Sequence, residues 1–476
     1  MLRSPWTGHG WPAHLMNNQT LECHDASRMG PLILMVAYDF FPSNQIGARR
    51  VTALARFLVT RGYRVAIISS FGDHDIETGS EIIPGIIAFP VKRPPKIVVD
   101  ALITLKKNIA GRFGTKNAPT LRTDSSKGVA TAVTQGGLKE LFFRALCFVD
   151  EFKKWSWRAS RAATEAAEEH AAKLIISSGP PNSALLAGTL AARRLRIPHI
   201  ADLRDPWTDA VTANPRYRFD YFLQRPLEKW MVRSASRITS AGAAVAERLA
   251  ARYPDAAGKI YVVRNGFDGR SDAVQTTTGG KLSILFAGEL YLGRNPYPFL
   301  DALESLLRRD DVDAEKIRVT FMGRVDQYDG HPISEWLSGK RLSRIMTILP
   351  HGPAEDVNRA VSEATVLLNL AQQQPYSVPA KTYEHLIANR EILVICESDS
   401  ETARVVKGIH GVIQVDSGNS VDLEQALLDL YHRHAVQGIL TTPSAEEVHG
   451  FSRSAANEEF LSIINGVLDP DVSATH

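Results

Sequence analysis

PLILMVAYDFFPSNQIGARRVTALARFLVTRGYRVAIIS, residues 31–69, opens on an unbroken apolar run, LILMVA, the pattern of a strand buried on both faces. After a polar loop, Val51, Leu54, Ala55, Leu58 and Val59 recur at helical spacing, and Gly62 can close the helix in a left-handed conformation. RVAIIS follows as a second apolar strand. The unit is β-loop-α-β, and a helix that returns the chain across the sheet leaves the two strands parallel.

The same unit recurs. KLIISS, a helix over 182–195 with Asn182 as its expected N-cap, and HIADL repeat it, as do RITSA, a helix over 243–253 and IYVVRNG. A polar, Gly- and Thr-rich stretch, GRSDAVQTTTGGK, then interrupts the alternation. Beyond it come LSILFAG, helix 297–308, IRVTFMG, RIMTILP, helix 354–361, TVLLNLA, helix 380–389, EILVICE, helix 400–407, GVIQV and helix 421–434. The expected fold class is α/β, with two Rossmann-like doubly wound domains at 31–270 and 282–440, joined by a linker at 271–281. Residues 1–30 read as a tail, and the amphipathic segment within 441–476 as a helix packing back on the N-terminal domain.

The length of 476 residues exceeds what one core usually fills, and 44% hydrophobic with 22% charged residues excludes a disordered chain. A net charge of +3 argues against a general nucleic-acid binder. Cys23, Cys147 and Cys396 are far apart and form no CxxC pair, so neither a disulfide framework nor a zinc ribbon is expected. Residues 1–28 lack the basic and apolar regions of a signal peptide, and no apolar run reaches the roughly 18 residues of a membrane span. The expected location is cytoplasmic. Charge is segregated nonetheless: residues 92–161 hold 15 Lys and Arg against 5 Asp and Glu. Within them, a helix over 138–158 with Leu138, Leu141, Phe142, Ala145, Phe148, Phe152 and Trp155 on one face fits either an anionic membrane surface or ordinary cover for the first sheet.

No GxGxxG follows the first strand, and there is no Walker loop, GxSxG elbow or HExxH, which weighs against dinucleotide, P-loop and zinc-hydrolase chemistry. Asp311-Val312-Asp313 resembles a metal-binding DxD but falls in a charged turn, and no metal is expected. The informative loops follow strands. YDFFPSNQIGARR places Gly47 at a helix start, SSGPPNSALL holds Ser178 beside a tight turn, and ADLRDPWTD gathers Asp202, Arg204, Asp205, Trp207 and Asp209. FAGELYLGRNP joins Gly288 to Arg294, an arginine able to neutralise a diphosphate. In PYSVPAKTYEHL, Lys381 and Glu384 share a helix face at i and i+3, as a ribose and phosphate clamp or as an exposed ion pair.

Taken in order from about Pro31 to Leu468, these segments resemble the family-4 glycosyltransferases, retaining enzymes of the GT-B fold. IISSGPPNSA, IPHIADLRDPWTD, VVRNGFD, FAGELYLGRNP and SVPAKTYEHLIAN look most like a bacterial subgroup carrying SSxPP and DxRDPW segments. The resemblance implies transfer of a sugar from a nucleotide-diphosphate sugar to a saccharide or lipid-linked acceptor in a cleft between two domains, in cell-surface polysaccharide or glycolipid synthesis. It implies that Glu384 holds the donor ribose, that Lys381 and Arg294 lie at the diphosphate, and that Gly288 and Ser377 line the donor site. Gly47, Ser178 and Asn265 fall on its acceptor and phosphate loops, and Asp205, supported by Arg204, stands near the reacting centre. A peripheral contact with an anionic membrane is compatible with it; a cofactor is not required.

The sequence also departs from the family. Tyr376 stands where a second glutamate, eight positions before Glu384, is common; Glu289 falls near an expected arginine; and the frequent catalytic histidine has no counterpart. A nucleotide-sugar epimerase or hydrolase of GT-B-like fold and a non-catalytic nucleotide-sugar-binding protein are the alternatives.

Overall fold

The apolar run after Pro31 forms strand β1 (Leu32–Ala37), buried along its whole length in the computed structural model. The structure describes residues 30–43, 45–72, 74–92, 150, 152–209, 218–269, 280–291 and 293–469. The tail, most of the basic segment 92–161, including 138–149 of its expected helix, and nearly all of the linker lie outside the described residues.

From β1 the chain runs through α1 (Ile46–Thr60), β2 (Arg64–Ser69), the hairpin strands β3 (Ser80–Ile83) and β4 (Ile86–Pro90), and α2 (Lys153–Glu169). It continues with β5 (Leu174–Gly179), α3 (Asn182–Leu195), β6 (His199–Leu203), α4 (Arg218–Ser234), β7 (Arg237–Ser240), α5 (Ala243–Arg252) and β8 (Ile260–Val262). These strands form an eight-stranded sheet in the order β3-β4-β2-β1-β5-β6-β7-β8. β1 pairs in parallel with both β2 and β5, so the strand order reverses direction between β1 and β5. The edge hairpin is antiparallel and leaves little mark in the sequence: SEIIPGIIAFP carries its turn in a single Pro-Gly pair, and its four-residue edge strand is too short to show a period.

Leu32, Leu34 and Val36 turn one face of this sheet onto Trp155, Ala159 and Ala163 of α2 and Ala184, Ala187 and Ala191 of α3. The small side chains let the helices approach closely, and Trp155 Nε1 donates to the Val91 carbonyl at 2.8 Å. That part of the aromatic helix is therefore cover for the sheet. The N-cap of α3 is Pro181 rather than Asn182, and the Asp150 carboxylate takes the Ser183 N–H at 2.8 Å in the capping role.

The second sheet follows as β9 (Leu282–Glu289), α6 (Tyr297–Leu306), β10 (Ile317–Arg324), the short β11 (Gln327–Tyr328) and β12 (His331–Pro332), α7 (Ile333–Leu337), β13 (Met346–Leu349) and α8 (Ala354–Glu363). Then come β14 (Val366–Leu370), α9 (Ala380–Leu386), β15 (Glu391–Cys396), α10 (Glu401–Val406), β16 (Val412–Asp416), α11 (Ser420–Tyr431), α12 (Ala445–His449) and α13 (Arg453–Leu468). The order is β13-β10-β9-β14-β15-β16, every pair parallel. Both faces are covered. Ile284 and Phe286 pack with Phe299, Leu303 and Leu427, while Leu285 and Ala287 meet Leu367, Met322 and the Val357–Ala360 face of α8. This two-sided burial is why the strands read as apolar runs without alternation.

Contacts divide the described residues into two compact units: one takes in Arg204–Pro206 and Thr239–Asn465, the other those of Thr20–Leu203, Trp207–Ile238 and Gly466 onward.

Candidate functional site

In an open parallel sheet, ligands bind outside the carboxyl ends of the strands where the strand order reverses. In the second sheet that point lies between β9 and β14, since the chain builds outward to β10 and β13 on one side and to β15 and β16 on the other. Gly288, the penultimate residue of β9, lies there. A Cβ on Gly288 would stand 3.7 Å from Lys381 Cε, an ordinary contact, so the lysine stem lies alongside the strand at this position. Gly323, its partner in β10, has φ +125°, and a Cβ there would come 2.0 Å from the Gly288 carbonyl, which only glycine permits.

Arg294 reaches the same strand end. Its only side-chain hydrogen bond among the described residues is a 3.5 Å contact from Nη1 to the Glu289 carbonyl, and its guanidinium lies 4.5 Å from the centroid of the Tyr291 ring. Lys381, in the first turn of α9, makes no ion pair among the described residues. The i,i+3 bridge to Glu384 is thus not formed, and Glu384 stands exposed one turn on. Two cations with donors left uncommitted at a strand-order reversal suit a di-anionic group.

The loop from β14 to α9, which carries Ser377, is held from several directions. Gln372 Nε2 donates to the Asn295 carbonyl at 2.9 Å, and the Gln373 N–H meets both oxygens of Glu397 at 3.0 Å. The Glu401 N–H donates to the Pro375 carbonyl at 3.1 Å, and the Tyr376 ring lies under the Arg248 guanidinium at 4.9 Å. Tyr376, at the position where the family commonly has a glutamate, thus serves as a stacking anchor. On α9, burial and then the Lys381 charge push His385 down to about 3, so its ring is neutral at physiological pH.

The other unit has its own reversal point, between β1 and β5. Gly47, half-buried, opens α1, and Arg50 one turn later forms a buried pair with Asp202 at the end of β6, Nη2 to Oδ1 2.9 Å and Nε to Oδ2 3.1 Å. Ser178 is 3% exposed and donates to Asp202 Oδ2 at 2.8 Å. Ser178 is therefore brought together with Asp202 and Arg50. Deeper in the sheet, Ser177 Oγ meets His199 Nε2 at 2.7 Å, and burial drives His199 down to about 3. After β6, Trp207 Nε1 donates to Gln224 at 2.8 Å and Thr208 to the buried Glu228 through N and Oγ1 at 2.9 and 2.8 Å.

Arg204 and Asp205 group with the unit of the second sheet. Asp205 is reached by solvent, yet the protein packed around it raises its pKa, an effect the Arg204 charge partly opposes. Asn265 follows β8 in the same unit, where Arg453 holds the loop by bonds to Asp268 at 2.7 Å and the Gly266 carbonyl at 2.8 Å. Asn265 does not share a unit with Gly47 and Ser178. Asp311 is engaged by Arg309 at 3.0 and 2.9 Å, and Asp313 caps a short turn through the Glu315 N–H, so both carboxylates of the DxD have local structural partners. Among the described residues no cluster of three His, Cys, Asp or Glu is placed to hold a metal, and no helix is long and apolar enough to cross a membrane.

The arrangement is that of a GT-B fold. The chain is similar to α,α-trehalose 6-phosphate synthase from Burkholderia multivorans (TM-score 0.59, 11% identity, covering 94% of this chain and 99% of that one). It is also similar to sucrose-phosphate synthase from Thermosynechococcus elongatus (TM-score 0.55, 12% identity, 92% and 98% covered) and to Anabaena HepE in complex with UDP-glucose (TM-score 0.53, 13% identity, 92% and 100% covered). Residues 130–269 match the family described as Glycosyltransferase Family 4. No curated protein matches significantly. Fold and matched segment together support a glycosyltransferase.

Proposed function

We propose that this protein transfers a sugar from a nucleotide-diphosphate sugar to a saccharide or lipid-linked acceptor, with retention, in the synthesis of a cell-surface polysaccharide or glycolipid, and that it belongs to the subgroup with SSxPP and DxRDPW segments. The observation that carries the reading is the pair of uncommitted cations, Arg294 and Lys381, at the strand-order reversal of the second sheet. Departure of a nucleoside diphosphate concentrates negative charge on its phosphoryl oxygens, and preorganised cations stabilise it most in the transition state. Glu384 accepts from the ribose hydroxyls, Gly288 and Ser377 line the donor, and Asp205 with Arg204 serves the reacting centre. Gly47, Ser178 and Asn265 belong to the acceptor and phosphate loops. With two protein cations in this role, the chemistry needs no metal.

The matched family segment and the likeness to a UDP-glucose complex support a nucleotide sugar as donor. For a lipid-linked acceptor, α2 offers one exposed face of Lys154, Trp157, Arg158 and Arg161 at i, i+3, i+4 and i+7, with Trp157 73% exposed, suited to an anionic membrane surface. A screen of nucleotide sugars by thermal shift, followed by transfer of a labelled sugar to bacterial lipid extracts, tests the proposal. Stabilisation by a nucleotide sugar together with labelled product supports it. Turnover without acceptor points instead to a hydrolase or epimerase, and nucleotide binding with no turnover to a binding protein.

A further inference from the structure

The turn that carries Arg294 is built around a tyrosine. The Arg294 N–H donates to the Tyr291 carbonyl at 3.0 Å, closing a four-residue turn, and Gly293 within it has φ +58°. A Cβ on Gly293 would come 2.7 Å from the Gln372 carbonyl and 2.8 Å from Gln373 Cβ, so the turn is wedged against the loop that leads to Lys381. The same backbone that ties residue 294 to residue 291 brings their side chains together, with the guanidinium 4.5 Å from the ring centroid. Arg294 Nε is buried without a hydrogen-bond partner, and Nη1 has only the 3.5 Å contact to Glu289. No carboxylate among the described residues holds this guanidinium; the ring is its principal support. Tyr291 is 40% exposed, so its ring stands at the surface beside the guanidinium.

We infer that Tyr291 is a positioning residue: its ring fixes the plane of the Arg294 guanidinium so that the two terminal nitrogens face the diphosphate of the nucleotide. A carboxylate partner would hold the arginine equally well but would neutralise it and compete for the donors. An aromatic face orients the cation without neutralising it, so the terminal nitrogens keep their charge for the anion. This inference rests on the donor site proposed above.

The test measures binding of UDP, GDP and ADP to the wild-type chain by calorimetry, then repeats it for whichever nucleotide binds, and for its parent nucleoside, with Tyr291→Ala, Tyr291→Phe and Arg294→Ala. Tyr291→Ala should weaken the diphosphate about fivefold, within the range of one cation–π contact, and leave the nucleoside unchanged. Tyr291→Phe should keep wild-type affinity, and Tyr291→Ala combined with Arg294→Ala should be no weaker than Arg294→Ala alone. Equal losses for diphosphate and nucleoside, or additive effects of the two substitutions, would overturn the positioning role. If none of the three nucleotides binds the wild-type chain, it is the donor-site reading that fails.

Discussion

Lys381 and Glu384 share one short helix but have different surroundings. Lys381 is half-buried beside Gly288, and Glu384 projects into solvent. Glu384→Ala should therefore leave the fold intact and remove most nucleotide affinity; calorimetry giving wild-type binding would refute the ribose assignment. Lys381→Ala should lower turnover more than tenfold with little change in melting temperature, since no ion pair among the described residues is lost with it, and an unchanged rate would count against its role. The buried histidines make a different prediction. His199 and His385 are neutral in the folded chain down to about 3, whereas in the unfolded chain they take up protons below about 6.5. Between these values the unfolded state binds more protons, so acidification should cost about 1.4 kcal/mol per pH unit for each histidine. Urea unfolding at pH 7 and pH 5 measures the slope, which His199→Asn should flatten. The sequence singled out Arg294, Lys381 and Glu384 as candidates because each sits next to a strand end or helix start that periodicity marks. It did not reveal Arg50, Tyr291 or Glu397, whose importance comes from neighbours brought close only by folding.

Strands and helices were largely legible because buried parallel strands are apolar on both faces and the helices between them keep a 3.6-residue stripe. What escaped were features set by distant partners. The edge hairpin is one; the cap of α5 is another, where the buried Glu401 carboxylate accepts the N–H groups of Ala243 and Ala244, each at 2.8 Å. Residues 158 and 157 positions apart in the chain leave no local mark. Glu401→Ala should destabilise the unit that contains it by about 2 kcal/mol, the scale of a charged cap on two amide groups, as read from denaturant midpoints. Asp202→Ala should be more severe, about 3 to 5 kcal/mol, because it takes two bonds from the buried Arg50 guanidinium and removes the acceptor of Ser178; Asp202→Ala paired with Arg50→Met should recover part of the loss.

For the whole molecule, Gly288, Arg294, Lys381 and Glu384 all lie in one compact unit, and a ligand stabilises the unit that binds it. Saturating nucleotide, at about 100 times its Kd, should add about 2.7 kcal/mol to that unit alone. Hydrogen exchange should slow across β9, β14 and α9 while β1 and β5 exchange as before; uniform protection of both sheets would contradict this. The charged cap on α5 has one more consequence. Residues 243–252 leave the ribosome well before residue 401, and Gly266 and Asp268 well before Arg453, which clasps them. The middle of the chain must wait, its amide groups held by water, for the last part to be synthesised. A nascent chain stalled after residue 400 should therefore be cut by protease around Ala243, and one released with Arg453 in place should not.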